Sequence, residues 1–298
     1  MPPIRPIVFA TLALALLGFG PAARAEFTLD LDEVRRLAAS LPGDAPSEIR
    51  YEQVARFAFY DAMLVGGDPW RPAPLPVIAY QLVFPSQTIL VDTGLDAATA
   101  KHTLLLRDFD AAASERVRAA MARAAQIVIT HEHEDHIGNI ASYPALETLT
   151  PALRLTAEQL ANRAGMKPAV LPTAPFASYT PLYYEHLYAL APGVVLIKAP
   201  GHSLGSQIVY VRLANGHELL LIGDVCTRLR NIELERERPW FMTLVIGENR
   251  AQVLEQLHVL HGLMQTEPAL AILPNHDGAA LAALAARGWL QPGFVPVP

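Results

Sequence analysis

The chain has 298 residues, of which 52% are hydrophobic and 17% charged, and a net charge of −6. That is too long and too apolar for a peptide, a coiled coil or a disordered tail, and too acidic to suit nucleic acid or an anionic membrane surface. The lone cysteine, Cys226, excludes a disulfide scaffold and a cysteine-rich zinc finger.

Residues 1–25 read as a secretory signal peptide. Arg5 supplies a positive start, residues 7–17 are uncharged and apolar, Gly18, Gly20 and Pro21 break the run, and Ala23-Arg24-Ala25 offers small residues at a cleavage site before Glu26. An N-terminal anchor is the alternative, although the apolar run is short for a membrane span. Cleavage leaves a single domain over 26–298. It also removes two arginines and no acid, so the mature chain is more acidic still. The expected location is the periplasm or the outside medium, with no stable membrane association after cleavage.

The apolar spacing predicts a helix over 31–40, stopped by Pro42-Gly43. Residues 49–64 mix aromatic and β-branched positions and suit a strand. Two strands over 77–84 and 88–91, separated by Pro85-Ser86, predict a hairpin. Helices follow over 97–106 and 111–124, then a short buried strand over 126–130 that stops at a polar cluster. A strand over 153–156 and a helix to 164 come next. Residues 167–181, with Pro168, Pro172, Pro175 and Pro181, have no clear period and are read as a loop covering the substrate, a surface excursion being the alternative. Strands over 194–198, 207–213 and 218–222 follow, the last two joined by Ala214-Asn215-Gly216. A helix over 249–265, a strand over 269–273 and a helix over 279–287 end the chain. Strands in runs, with helices between and after them, predict an α/β protein of two packed sheets with helices outside rather than a doubly wound parallel sheet.

The segment that carries chemistry is Thr130-His131-Glu132-His133-Glu134-Asp135-His136-Ile137-Gly138-Asn139. Three histidines and an aspartate fall within six residues, just after a buried strand. On a turn, His131 and His133 can converge on one ion, and Asp135 and His136 can face a second. Imidazole with carboxylate suits zinc and related divalent metals.

This segment resembles the metallo-β-lactamase superfamily, whose hallmark is His-x-His-x-Asp-His. Four further segments resemble that family in order: Ile89-Leu90-Val91-Asp92-Thr93-Gly94, Pro200-Gly201-His202-Ser203, Leu221-Ile222-Gly223-Asp224 and Pro274-Asn275-His276-Asp277. The resemblance implies a four-layer αββα sandwich of two mixed β-sheets with helices on the outer faces. It implies two divalent metal ions per chain, with zinc expected and iron or manganese as alternatives. His131, His133 and His202 would hold one ion, Asp135, His136 and His276 the other, and Asp224 would bridge them. Asp92 would hold the histidine loop by hydrogen bonds rather than ligate. Glu132 and Glu134 are expected in solvent or hydrogen-bonded behind the ligands, and the five other histidines at the surface or in the core. Cys226, two residues past Asp224, reads as a small buried hydrophobe, with a thiol near the metals as the alternative.

On this resemblance the chain is an exported metal-dependent hydrolase in which a metal-bound hydroxide attacks a small ester, lactone or thioester. Asp135 would be the catalytic residue that passes a proton to the leaving group, and one of Tyr179, Tyr183, Tyr184 and Tyr188 would line the pocket unless all four merely pack. The ligand set with its bridging aspartate is that of lactonase-like and glyoxalase-II-like relatives. Class B β-lactamases generally lack an aspartate at the Asp224 position, which disfavours the alternative of β-lactam hydrolysis. A mono-iron thiol or persulfide oxidoreductase is a further alternative, marked by one iron per chain. The expected partner is a small-molecule substrate, with no nucleic acid.

Overall fold

The protein was analysed as a computed structural model that describes residues 26–296; the signal peptide expected over 1–25 lies outside the described residues. Eleven strands among these residues form two sheets. The first holds β1 (Glu48–Phe57), β2 (Leu75–Val83), β3 (Thr88–Val91), β4 (Leu106–Phe109), β5 (Gln126–Val128) and the late strand β11 (Leu290–Pro292), in the order β11-β1-β2-β3-β5, with β4 beside β11 on β1. The second holds β6 (Leu187–Ala191), β7 (Val194–Lys198), β8 (Gln207–Arg212), β9 (Glu218–Leu221) and β10 (Leu270–Leu273), in the order β10-β9-β8-β7-β6.

Both sheets mix parallel and antiparallel pairs. β3 and β5 are parallel, as are β9 and β10, while β6, β7, β8 and β9 alternate antiparallel from one to the next. Alternate side chains of each strand therefore serve different layers. On β8, Val209 and Val211 face the first sheet, whereas Ile208 and Tyr210 join the outer cluster with Val253 and Leu257 of the helix Arg250–Thr266. On β2, Ile78, Tyr80 and Leu82 meet Leu196, Val209 and Leu221 across the sandwich, and Ala79 turns to the outer helices Ala111–Met121 and Glu134–Ala141. Helix, sheet, sheet and helix are thus stacked as four layers, the αββα sandwich expected from the sequence. Each fully buried branched side chain contributes roughly 1.5–3 kcal/mol to that stack.

Several local expectations differ. Residues 97–106 form only the short helix Ala97–Ala100, because Leu106 is drawn into the edge strand β4 against Phe57. The stretch 49–64 divides into β1 and the helix Asp61–Leu64. Residues 153–156 make only isolated bridges, Ile127 with Leu153 and Thr156 with Leu182. The helix after them, Ala157–Ala161, is closed at its start by a capping box between Thr156 and Gln159.

The topology gathers one edge of the sandwich into a site. Asp92 follows the end of β3, the histidine segment follows β5, His202 follows β7, Asp224 follows β9 and His276 follows β10. Parallel pairing puts the ends of β3 and β5 side by side, and those of β9 and β10 likewise.

Candidate metal centre

The histidine segment turns sharply because β5 stops at Val128 and a helix begins at Glu134. His133 occupies the N-cap position with extended backbone, yet its side chain caps nothing. That frees its imidazole, while Glu134 and Asp135 sit in the first helical turn, where the macrodipole favours carboxylates. Asp92 is fully buried with φ of 61°, a left-handed conformation that costs a non-glycine residue roughly 1–2 kcal/mol. Its carboxylate offsets this by accepting from the Thr130 amide at 2.6 Å and from the Thr130 hydroxyl, and by facing His136 Nδ1 at 2.9 Å. It holds the histidine loop, as expected.

Gly223 brings β9 against the same loop. Its φ is 53°, and a Cβ there would lie 2.6 Å from Thr130 Cβ. Gly223→Ala should therefore lower unfolding stability by more than about 1 kcal/mol. Urea unfolding tests this; an unchanged midpoint would mean the loop yields freely.

Each histidine is aimed by its second nitrogen. His136 Nδ1 meets Asp92, His202 Nδ1 lies 2.6 Å from Glu248 Oε1, and His276 Nδ1 lies 2.7 Å from the Pro76 carbonyl. Their Nε2 atoms consequently point inward. His131 Nε2 and His202 Nε2 both lie 3.0 Å from His133 Nδ1. His276 Nε2 is 3.2 Å from both Asp135 Oδ2 and Asp224 Oδ2, and His136 Nε2 is 3.6 Å from Asp224 Oδ1. Asp224 Oδ2 also approaches His202 Nε2 at 3.7 Å. The potential ligand atoms fall into groups that meet within 4.8 Å: His131, His133 and His202; Asp135, His136 and His276; and His131, His136 and Asp224 between them.

The donor set fits divalent cations. His131 Nε2 and His202 Nε2, both crowded on His133 Nδ1, cannot both be satisfied by hydrogen bonds to it, since the central atom shares at most one proton. His136 Nε2 and Asp224 Oδ1 are buried with no hydrogen-bond partner. Burial and the neighbouring imidazoles keep His131 far below its ordinary pKa and push His133 down to about 3, so both are neutral donors. Burial opposes charge on His136 as well, but Asp135 and Asp92 outweigh it and lift it to about 9. The carboxylates draw positive charge to this half of the cluster.

Sequence reasoning missed two residues behind the ligands. The Glu248 side chain is fully buried, bonds His202, and accepts from Arg238 Nη1 at 2.6 Å, while Arg238 Nη2 donates to the Asp224 carbonyl at 3.0 Å. Burial opposes the charge of Glu248, yet Arg238 and His202 hold its carboxyl below the usual range. The pair thus ties the His202 turn to the Asp224 loop. Glu132 is also fully buried; it accepts from Ser203 Oγ at 2.9 Å and from the Asn162 amide, which settles it behind the ligands rather than in solvent.

The centre opens into a cavity of about 390 Å³ whose apolar wall includes Phe57, Phe59, Met63, Leu105, Met242 and Ile246, with Asp135, Asp224 and His276 at its base. None of the four tyrosines lines it. Tyr179 bonds the backbone of Leu155, and Tyr184 is buried and bonds Gln207, so both pack. Residues 167–181 do not reach the cavity either, so the covering loop expected there is a surface excursion. Cys226 is buried in the outer cluster of the second sheet, its thiol pushed up by burial, as expected of a small hydrophobe. His258 and His261 pair with Glu235, and His217 stacks on Trp289, all away from the centre.

The sequence model of the metallo-beta-lactamase superfamily matches residues 74–236. By sequence, no curated protein matches the chain. Among solved structures, an N-acyl homoserine lactone hydrolase with the product N-hexanoyl-L-homoserine at its catalytic metal centre is similar, with a TM-score of 0.62 and 19% identity over 80% of this chain and 96% of that one. A probable metal-dependent hydrolase from Staphylococcus aureus gives 0.57 and 13% over 79% and 91%. AidC, a dizinc quorum-quenching lactonase with a bound product, gives 0.54 and 12% over 78% and 89%. At such identities the likeness is one of fold.

Proposed function

From the premise that this chain belongs to the metallo-beta-lactamase superfamily and is a metal-dependent hydrolase of it, we propose that it is an exported, dinuclear zinc enzyme that opens small esters, lactones or thioesters. One observation carries the reading: Asp224 touches both ligand groups, with oxygens near His202 on one side and near His136 and His276 on the other. The named solved structures include lactone hydrolases, which supports the choice of a carbonyl substrate. The cavity's size and apolar wall suit a small organic molecule, and the chain's acidity disfavours nucleic acid.

In this reading His131, His133 and His202 hold one ion, Asp135, His136 and His276 the other, and Asp224 both. Two such ions supply an activated water near neutral pH and polarise the carbonyl to be attacked. The chain's own residues do the rest. The Phe57 and Met242 wall excludes bulk water and orients the apolar part of the substrate. Asp92, Glu248 and the Pro76 carbonyl fix the tautomers of His136, His202 and His276. The Asp135 carboxylate faces the cavity, where an oxygen can hold a proton and pass it to the departing alkoxide or thiolate.

Protein purified without chelator should contain close to two equivalents of zinc and hydrolyse members of a panel of lactones, esters and thioesters. A single equivalent that added metal does not raise would sink the dinuclear assignment, and one iron per chain would favour thiol oxidation instead. Turnover confined to β-lactams or phosphodiesters would overturn the substrate assignment. Export carries its own test. Intact-mass measurement of protein from its native envelope should place the N-terminus at Glu26; a retained Met1 there would mean an uncleaved anchor.

A further inference from the structure

Protein surfaces ordinarily leave large apolar side chains in water singly, yet several gather at the mouth of the cavity over the metal centre. Leu104 is 85% exposed, Leu105 50% and Val245 79%, and all three line the cavity together with the buried Phe57 and Met242. They come from two separate stretches of the chain, the loop before β4 and the helix Trp240–Ile246. That helix, Trp-Phe-Met-Thr-Leu-Val-Ile, has no charged residue, and its one hydroxyl, on Thr243, donates back to the Trp240 carbonyl at 2.8 Å. A surface helix ordinarily turns a polar face to solvent. This one turns Trp240, Leu244 and Val245 there.

The backbone at Leu105 is an independent observation. Its φ is 60°, in the left-handed region that glycine enters freely and leucine only against a steric cost. The turn is held by the Ala58 amide, which donates to the Leu105 carbonyl at 2.8 Å, and it sends Leu106 into β4 while Leu104 and Leu105 stay at the mouth. Glycine would serve the turn better. What leucine offers there, and glycine does not, is a side chain in the mouth of the cavity. Strain of this kind persists where the residue serves a ligand.

Resting on the hydrolase reading above, we infer that the mouth formed by Leu104, Leu105 and Val245 is a subsite for a long unbranched hydrocarbon chain, so that the substrates are esters, lactones or thioesters carrying such a chain rather than short or polar ones. The reacting carbonyl sits at the base with Asp135, Asp224 and His276, and the chain runs outward past Phe57 and Met242 to the exposed leucines and Val245. The chain covers side chains that otherwise meet water, so binding removes apolar surface from both partners at once. Each methylene that lies against them should raise kcat/KM by up to about fourfold, and those beyond the mouth should add nothing.

The test is a series of matched esters from acetyl to decanoyl, kept below the concentrations at which the longer ones aggregate. The proteins are the metal-loaded wild type, Leu105→Gly, Val245→Ser and Leu244→Ser, with metal content measured on each preparation. Glycine suits the backbone at 105, so Leu105→Gly should fold and lose only the side chain. Wild-type kcat/KM should rise with chain length, by roughly a hundredfold or more between the ends. Both mouth variants should lower the decanoyl-to-acetyl ratio, Leu105→Gly by roughly tenfold or more. Leu244 lies on the same helix outside the cavity lining, so Leu244→Ser should leave acetyl turnover and the ratio as in wild type. A flat series in two-metal wild type, or an unchanged ratio in both mouth variants, would overturn this assignment and leave the hydrolase reading standing. A rise that appears only once the esters aggregate, and is lost in Leu244→Ser, would overturn it in favour of a face that docks on a lipid surface. No turnover of any ester by two-metal wild type would overturn both readings.

Discussion

Asp224→Ala should lose one metal equivalent and at least about a hundredfold in ester or lactone turnover, beyond the upper range seen when only a partner behind a ligand is removed. The carboxylate lies within 3.2 Å of His276 Nε2 and within 3.7 Å of His202 Nε2, so it is placed to hold two ions at a fixed spacing and to neutralise part of their charge. Asp224→Asn keeps the size and removes the charge, so one ion should bind more weakly while the other stays. The fold should survive in both variants. Leu219 and Leu221 of β9 are buried between the sheets, and Arg238 holds the backbone carbonyl of residue 224 rather than its side chain. Turnover and metal content belong on the same preparations, with circular dichroism as the folding control. Full activity and two retained metals in Asp224→Ala would reduce Asp224 to a strand-end residue and return weight to β-lactam hydrolysis.

Glu248→Ala should be nearly as damaging by a different route. Its carboxylate fixes the imidazole of His202 through Nδ1 and is the partner of the buried Arg238 guanidinium. Removing it leaves Arg238 without its counter-charge, a loss of about 3–5 kcal/mol in stability. It also frees the His202 ring, so the ion shared with His131 and His133 should bind roughly 10–100-fold more weakly. Glu248→Gln separates these effects. The amide can still accept from His202 Nδ1 but no longer neutralises Arg238, so it should recover part of the metal affinity and little of the stability. Competition with a chromophoric chelator reads the first, and urea unfolding the second. Glu248→Ala with wild-type affinity for both ions would show that other contacts suffice to hold the His202 turn.

The cluster His131, His133, Asp135 and His136 was legible in the residues themselves, because it follows an apolar strand with an abrupt change of polarity. His202, Asp224 and His276 were implied only by the resemblance of their short segments to the family's. The spacing of His131, His133, Asp135 and His136 suffices to suggest paired ions, since neighbouring residues on a tight turn have few places to point. The two-sheet architecture was legible because strands come in runs in each half of the chain, with helices between and after them.

The partners behind the ligands were decided by tertiary structure. Glu248 lies 46 residues from His202 and 10 from Arg238, and nothing in its local sequence marks it. Only the return of the chain after Gly247, left-handed at the end of the helix Trp240–Ile246, brings it under the imidazole. For Glu132 the sequence left solvent and a place behind the ligands both open, and Ser203 and Asn162, closing over it from separate loops, decide for the second. Residues 187–191, Leu-Tyr-Ala-Leu-Ala, have no strong strand composition and form β6 because β7 offers an edge to pair with. Leu106 leaves the expected helix for β4 because β1 offers it the same. Sequence determined which residues could bind metal and which must be buried, because those properties belong to single side chains and their near neighbours. The approach of distant loops decided which nitrogen His136, His202 and His276 present, because hydrogen-bond partners are chosen in space.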